Sequence, residues 1–189
     1  MGDARTVGLR VLAYVTNHLV NRIPSFRFRH AWYRRVLGIA IGEGSSIFLG
    51  CFVWFYGPGD IRRKGVSIGA HTIVNRDCCI DARGPLRIGD NVSVSPEVAI
   101  LTTQHDRDAR GFPLQSRAVV IEDHAWIGMR ATVLPGTVLR RGAVVGAGAV
   151  VHGEVPPLTV VAGVPARPVA TRSAEGTDYL LDGVPPLFE

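Results

Sequence analysis

Residues 121–156 read IEDHAW IGMRAT VLPGTV LRRGAV VGAGAV VHGEVP. Every sixth position is a large aliphatic: Ile121, Ile127, Val133, Leu139, Val145 and Val151. Four residues after each stands a small or β-branched side chain: Ala125, Ala131, Thr137, Ala143, Ala149 and Val155. A period of six is neither the 3.6 of a helix nor the 2 of a strand. It describes a short strand and a turn, with one aliphatic inward and one small residue in a tight corner. The pattern continues upstream through Ile41, Ile47, Val53, Ile68, Val74, Ile80, Ile88, Val94 and Ile100. Small or β-branched companions follow at Ser45, Cys51, Gly57, Thr72, Cys78, Gly84, Val92 and Val98, and only Gln104 departs. Glycine directly after the aliphatic, as at Gly42, Gly69, Gly89, Gly128 and Gly146, is expected to supply backbone freedom at the turns. Such units bury their apolar sides only by stacking, so the chain reads as an all-β solenoid with one continuous core.

Composition agrees. The 189 residues are 47% hydrophobic and 20% charged, which excludes a disordered or fibrous chain. The net charge of +5 is unevenly placed. Arg5, Arg10, Arg22, Arg27, Arg29, Arg34 and Arg35 stand against Asp3 alone in residues 1–36, so the body that follows is close to neutral. A basic stripe over the folded surface is missing, and with it the footprint of a nucleic-acid binder. Cys51, Cys78 and Cys79 are an odd, badly spaced set for a disulfide framework, which points to a reducing, cytoplasmic setting.

The ordered set Leu101-Thr102-Thr103-Gln104-His105-Asp106, a long loop, Trp126-Ile127-Gly128, Val133-Leu134-Pro135-Gly136, Val145-Gly146-Ala147-Gly148 and Ala162-Gly163-Val164-Pro165-Ala166-Arg167 resembles the hexapeptide-repeat acyltransferases. Within them it is most similar to the maltose, galactoside and nodulation O-acetyltransferase branch. The resemblance implies a left-handed parallel β-helix with three hexapeptides per coil. Five coils then run over residues 41–58, 68–85, 88–105, 121–138 and 139–156. The excess between successive coils falls at Gly59–Ser67, at a two-residue step, and at the fifteen residues Asp106–Val120. A loop of that length suggests a functional excursion from a rigid scaffold.

The same resemblance implies the chemistry. His105 takes the place of the catalytic base, in an active site between neighbouring subunits of a homotrimer. An acetyl thioester is already activated, so the enzyme has only to deprotonate an attacking sugar hydroxyl and stabilise the oxyanion, and an imidazole accepts a proton near neutral pH. No covalent acyl-enzyme and no metal are required. Asp106 is a candidate to orient the ring. Asn75 and Asp81 are the candidate acceptor-binding residues, an amide being able to donate to and accept from one hydroxyl. For the donor, acetyl-CoA, the family positions are Trp126 beside the pantetheine arm, Gly128, Met129 and Ala147 along the groove, and Arg167 at the phosphates. Met129 and His152 depart from the small polar residues common in the family, so contacts there rest on the backbone.

Residues 1–38 are expected to form a short helical cap, with helices over Val7–Val20 and Arg29–Leu37 broken at Pro24, covering the open first coil. Peripheral contact of this basic segment with a membrane is the less favoured role. Residues 39–170 form the acyltransferase domain, and the tail 171–189 carries no readable chemistry. The activity expected is transfer of an acetyl group to a hydroxyl of a sugar or glycan precursor. Serine O-acetylation or sugar N-acylation on the same fold is the alternative, the former less expected because serine acetyltransferases place a large helical domain before the repeats, where about forty residues stand here. From other classes come a γ-type zinc carbonic anhydrase, which needs three converging histidines that the spacing here does not supply, and a non-catalytic scaffold subunit, against which His105 and Trp126 argue.

Overall fold

The computed structural model describes residues 4–181. Three parallel sheets run side by side, and the chain visits each in turn. The first contains Ala40–Ile41, Ser67–Ile68, Leu86–Ile88, Val119–Ile121, Val138–Leu139 and Glu154–Val155. The second contains Ser46–Ile47, Ile73–Val74, Ser93–Val94, Trp126–Ile127, Val144–Val145 and Thr159–Ala162, closed by the antiparallel Arg167–Thr171. The third contains Phe52–Trp54, Cys79–Asp81, Ala99–Ile100, Thr132–Val133 and Val150–Val151. In the first sheet Ile41, Ile68, Ile88, Ile121, Leu139 and Val155 stand in register. All fifteen periodic aliphatics are buried, from 9% exposed at Ile41 to 0% at Ile127. At about 1.5–3 kcal/mol each, they make the column a rigid support.

Two details differ from the sequence reading. A sixth, partial coil begins at Val155, only four residues after Val151, so a position read as a small corner residue restarts the ladder. The corner that needs a left-handed backbone lies three residues after the aliphatic, at Gly44, Gly50, His71, Asp77, Asn91, Glu97, His124, Arg130, Gly136, Gly142 and Gly148. The glycines directly after the aliphatics serve another purpose. A Cβ on Gly42 would lie 2.4 Å from the amide of Ala70, and one on Gly128 2.6 Å from that of Ala147. They are small because the next coil passes directly overhead.

The N-terminal segment closes the open end. Helix α1 (Ala4–Tyr14) continues through a π-helical turn (Val15–Leu19) and a 3-10 turn (Val20–Arg22). Helix α2 (Phe26–Trp32) begins just after Pro24, three residues before the expected start, because the Ser25 hydroxyl caps it by accepting from the Phe28 amide. Side chains of this segment pair with each edge strand of the first coil. Asn17 accepts from the Val53 amide at 2.8 Å and donates to the Val53 carbonyl at 2.9 Å. The Ile47 amide donates to His30 Nε2 at 3.2 Å, while Arg29 donates to the Ile47 carbonyl at 3.0 Å. Arg34 donates to the Ile41 carbonyl at 2.9 Å. This satisfies backbone groups that would otherwise invite strand addition. It also ties Arg29, which is fully buried, and Arg34 to the core, so two of the basic residues that give the segment its charge are structural. Among the described residues no helix is long and apolar enough to cross a membrane.

The first long insertion folds as helix α3 (Pro58–Lys64), and the excursion after the third coil as an antiparallel hairpin in which Thr103 pairs with Ser116 and His105 with Leu114. The tail is not idle up to its last described residue. Arg172 donates to the His124 carbonyl at 2.8 Å, and the Tyr179 ring packs edge-on against His124. The Leu181 amide donates to Asn91. The tail thus straps the corner between the first and second sheets. Residues 182–189 of the tail lie outside the described residues.

Candidate active site

His105 ends the outgoing strand of the hairpin, at the corner between the third and first sheets. Its ring is stacked on Phe112, with centroids 4.3 Å apart and planes 5° apart, and its Nδ1 lies 2.7 Å from the Phe112 carbonyl oxygen. A carbonyl only accepts, so Nδ1 carries the hydrogen. In the neutral ring Nε2 then holds the free lone pair. Asp106 has no part in this. Its carboxylate accepts from Gln115 Nε2 at 2.6 Å and from the Asp108 amide at 3.0 Å, which shapes the hairpin.

Asp81, expected to face the acceptor, is fully buried beneath that hairpin. One carboxylate oxygen accepts from the Thr102 amide at 3.1 Å, the Thr103 amide at 3.0 Å and the Thr103 hydroxyl at 2.7 Å. The other accepts from the Arg83 amide and guanidinium at 3.0 and 2.8 Å. Burial alone would raise its pKa, but the hydrogen bonds from Arg83, Thr103 and the Thr102 amide hold it below the ordinary carboxylate value. With its oxygens so occupied, Asp81 clamps the root of the strand that carries His105. Nothing in the one-dimensional pattern distinguishes such a clamp from an acceptor ligand.

The remaining candidates gather on a different corner, between the second and third sheets. Val74, Val94, Ile127, Val145 and Val161 stand in register, so the residues that follow them, Asn75, Ser95, Gly128, Gly146 and Ala162, form a column. Met129 and Ala147 lie exposed beside it. Arg167 pairs with Ala162 and stands exposed at its upper end. At about 4.8 Å per strand, the five steps from Asn75 to Arg167 span roughly 24 Å. Asn75 is half-buried, and its Oδ1 accepts from the Arg76 amide. The Gly128 amide is committed to the Val145 carbonyl at 2.7 Å, so Gly128 keeps coil spacing and is no free donor. Trp126 projects from the second sheet, 48% exposed, its indole N–H donating to Ser95 Oγ at 3.2 Å. With Ser93, Arg172, Tyr179 and Leu181 it lines a cleft of about 250 Å³, which sequence reasoning missed because the tail residues return from far along the chain. An exposed apolar ledge ending at a guanidinium fits a donor with an uncharged arm and a phosphate-bearing end. Within one chain, His105 and this column occupy different corners.

Residues 118–153 match the family described as bacterial transferase hexapeptide (six repeats). Nodulation protein L of Rhizobium meliloti (strain 1021) is 38% identical over 151 residues, covering 72% of this chain and 82% of that protein. Galactoside O-acetyltransferase of Escherichia coli (strain K12) is 31% identical over 107 residues, 55% of this chain and 53% of that enzyme. Of other curated relatives the chain spans 52% and 28% of the length. Among solved structures, a hexapeptide-repeat containing acetyltransferase of Vibrio cholerae O1 biovar eltor, complexed with acetyl coenzyme A, superposes with a TM-score of 0.76 at 28% identity, covering 91% of each chain. The three-sheet column, the periodic core and the length of the match to nodulation protein L together show that the chain belongs to the hexapeptide-repeat acetyltransferase family, with its left-handed β-helix fold.

Proposed function

We propose that this protein transfers the acetyl group of acetyl-CoA to a hydroxyl of a sugar or glycan precursor, with His105 as general base. The observation that carries the proposal is the short contact of His105 Nδ1 with the Phe112 carbonyl, which leaves Nε2 as the basic nitrogen on an exposed hairpin. Nε2 takes the hydroxyl proton as the oxygen attacks the thioester carbonyl. The C–S bond then breaks, and the imidazolium returns the proton to the thiolate, releasing free coenzyme A in a ternary complex. Asn75, at the foot of the column, meets the acceptor. Trp126, Met129 and Ala147 support the arm of the donor, and Arg167 meets its phosphates. Because base and column occupy different corners, the site closes between neighbouring copies, and a cyclic homotrimer supplies three equivalent sites.

His105→Ala tests this with release of free thiol from acetyl-CoA across a panel of nucleotide sugars, glycosides and polysaccharide repeat units. Turnover should fall by about 10² to 10⁴ with the KM for acetyl-CoA nearly unchanged. A variant retaining more than half the wild-type rate would remove His105 from the mechanism, and an active monomer in sedimentation would remove the shared site.

A further inference from the structure

A second cleft, of about 370 Å³, lies between the N-terminal cap and the lowest part of the corner that carries Asn75. That volume is within the range of small-molecule sites, about 300–1,000 Å³. His18, Asn21 and Arg22 line it from the cap, and Gly50, Phe52 and Asp77 from the first two coils. Asn21 is only 3% exposed, and its Oδ1 has no hydrogen-bond partner, although its Nδ2 donates to the Cys51 carbonyl. That Oδ1 is sealed beneath the cleft wall, so contact with a ligand falls to the side chains at the surface.

The rest of the lining describes that ligand. Arg22 offers N–H donors, and Asp77 offers acceptors, a set that matches hydroxyls, which donate and accept at once. One guanidinium and one carboxylate leave the lining formally neutral, which suits an uncharged polyol better than a phosphate. The Phe52 and His18 rings, 6.3 Å apart and nearly perpendicular, make an apolar angle against which the C–H face of a sugar ring can rest. Gly50 has φ +78°, and a Cβ there would come 2.0 Å from Asp77 Oδ1, so the glycine lets the carboxylate lie over the backbone.

Position then decides the role. Gly50 is one coil below that of Asn75, where the acceptor hydroxyl is placed above, a rise of about 5 Å at the usual strand spacing. A sugar held against the cap in this cleft lies below that position, whereas the neighbouring residue of the same glycan, about one coil higher, reaches Asn75. We infer that the cleft between the cap and the first two coils is a distal subsite for one residue of a neutral, extended glycan acceptor, so that the N-terminal segment helps to select the acceptor as well as to close the solenoid. The inference rests on the acetyl-transfer reading above.

The test uses the labelled full-length protein on an array of neutral mono- to hexasaccharides, comparing wild type with Arg22→Gln and Asp77→Asn. Both side chains are exposed, so neither change should disturb folding. The wild type should bind oligosaccharides and not the corresponding monosaccharides, and each variant should lose about tenfold in affinity, with melting and acetyl-CoA binding unchanged. Binding to no glycan, equal binding of monosaccharides, or variants that bind like the wild type would each overturn the subsite. The two readings fail differently. An oligosaccharide that binds through Arg22 and Asp77 but is never acetylated refutes acetyl transfer and leaves the cleft standing, whereas acetylation with a KM indifferent to chain length and to both variants refutes the cleft alone.

Discussion

Replacing Asn17 by leucine tests how the open end of the solenoid is closed. Asn17 is 5% exposed, and its amide forms both of its hydrogen bonds with one residue, Val53, as a paired strand would. Leucine fills a similar volume but leaves the Val53 amide and carbonyl unpaired. Each orphaned group costs about 1–3 kcal/mol, while burial of the leucine side chain returns about 1.5–3 kcal/mol. The net loss is about 2 kcal/mol. For a chain of this size, about 2–4 °C per kcal/mol converts this to a fall in Tm of roughly 4–8 °C. The melts are run at one protein concentration, since association would otherwise shift them. Hydrogen exchange at the Val53 amide is the local readout, and it should lose protection before the amides of Val94 and Ile127, deeper in the stack. A Tm within about 2 °C of wild type, or a Val53 amide that stays protected, would refute the argument that cap side chains stand in for a missing strand.

Three further outcomes are expected. Gly42→Ala places a Cβ 2.4 Å from the Ala70 amide and should cost about 3 kcal/mol, whereas Gly8→Ala, with nothing within 4 Å, should stabilise α1 by up to about 1 kcal/mol; paired denaturant melts of the two variants decide it. His30 must be neutral to accept the Ile47 amide, and burial, with Arg34 and Arg29 nearby, lowers its pKa to about 4. Because the folded value lies below the ordinary 6.5, its contribution is complete above about pH 6.5, declines as pH falls towards 4 and is then constant. The full gap is worth at most about 3 kcal/mol, which solvent screening of the part-exposed ring reduces to about 1–2 kcal/mol, and urea melts of His30→Gln should lack this slope between pH 6.5 and 4. Asp81→Ala should release the root of the hairpin, lowering turnover by at least about tenfold with the KM for acetyl-CoA retained, and opening residues 103–116 to limited proteolysis; a hairpin as resistant as wild type would show that Asp81 does not hold it.

The stacked core was legible because each coil makes the same demand of its residues. One inward aliphatic in all fifteen repeats, with a small or β-branched corner residue in every one but that of Gln104, leaves little other reading. The pattern gave the position of the glycines and misled on their cause, because close approach of the next coil is a property of stacking and not of one turn. It lost the sixth coil at Val155 because a four-residue step breaks the period. It found the cap as a helical segment, but not Asn17, His30, Arg29 or Arg34 as its fasteners, since the first three reach main-chain groups of the first coil 36, 17 and 18 positions away, and Arg34 one 7 positions away.

The candidate site divides along the same line. His105 stands out in the sequence because its place in an ordered motif is a property of residue identity. The group that fixes its proton is the carbonyl of Phe112, and every residue has a carbonyl, so no substitution pattern marks it. An acidic neighbour, Asp106, draws attention in the sequence and is turned instead to Gln115 and the Asp108 amide. Asp81 likewise reads as a ligand because it is an acid in the right region. Its burial, and the donors that converge on it from Arg83, Thr102 and Thr103, make it part of the support. The separation of His105 from the Asn75 column follows from the same geometry. Asn75 follows the second sheet's strand and His105 the third's, so within one chain they stand at different corners, and the proposed mechanism, which uses both, therefore calls for a second copy of the chain to supply one of them.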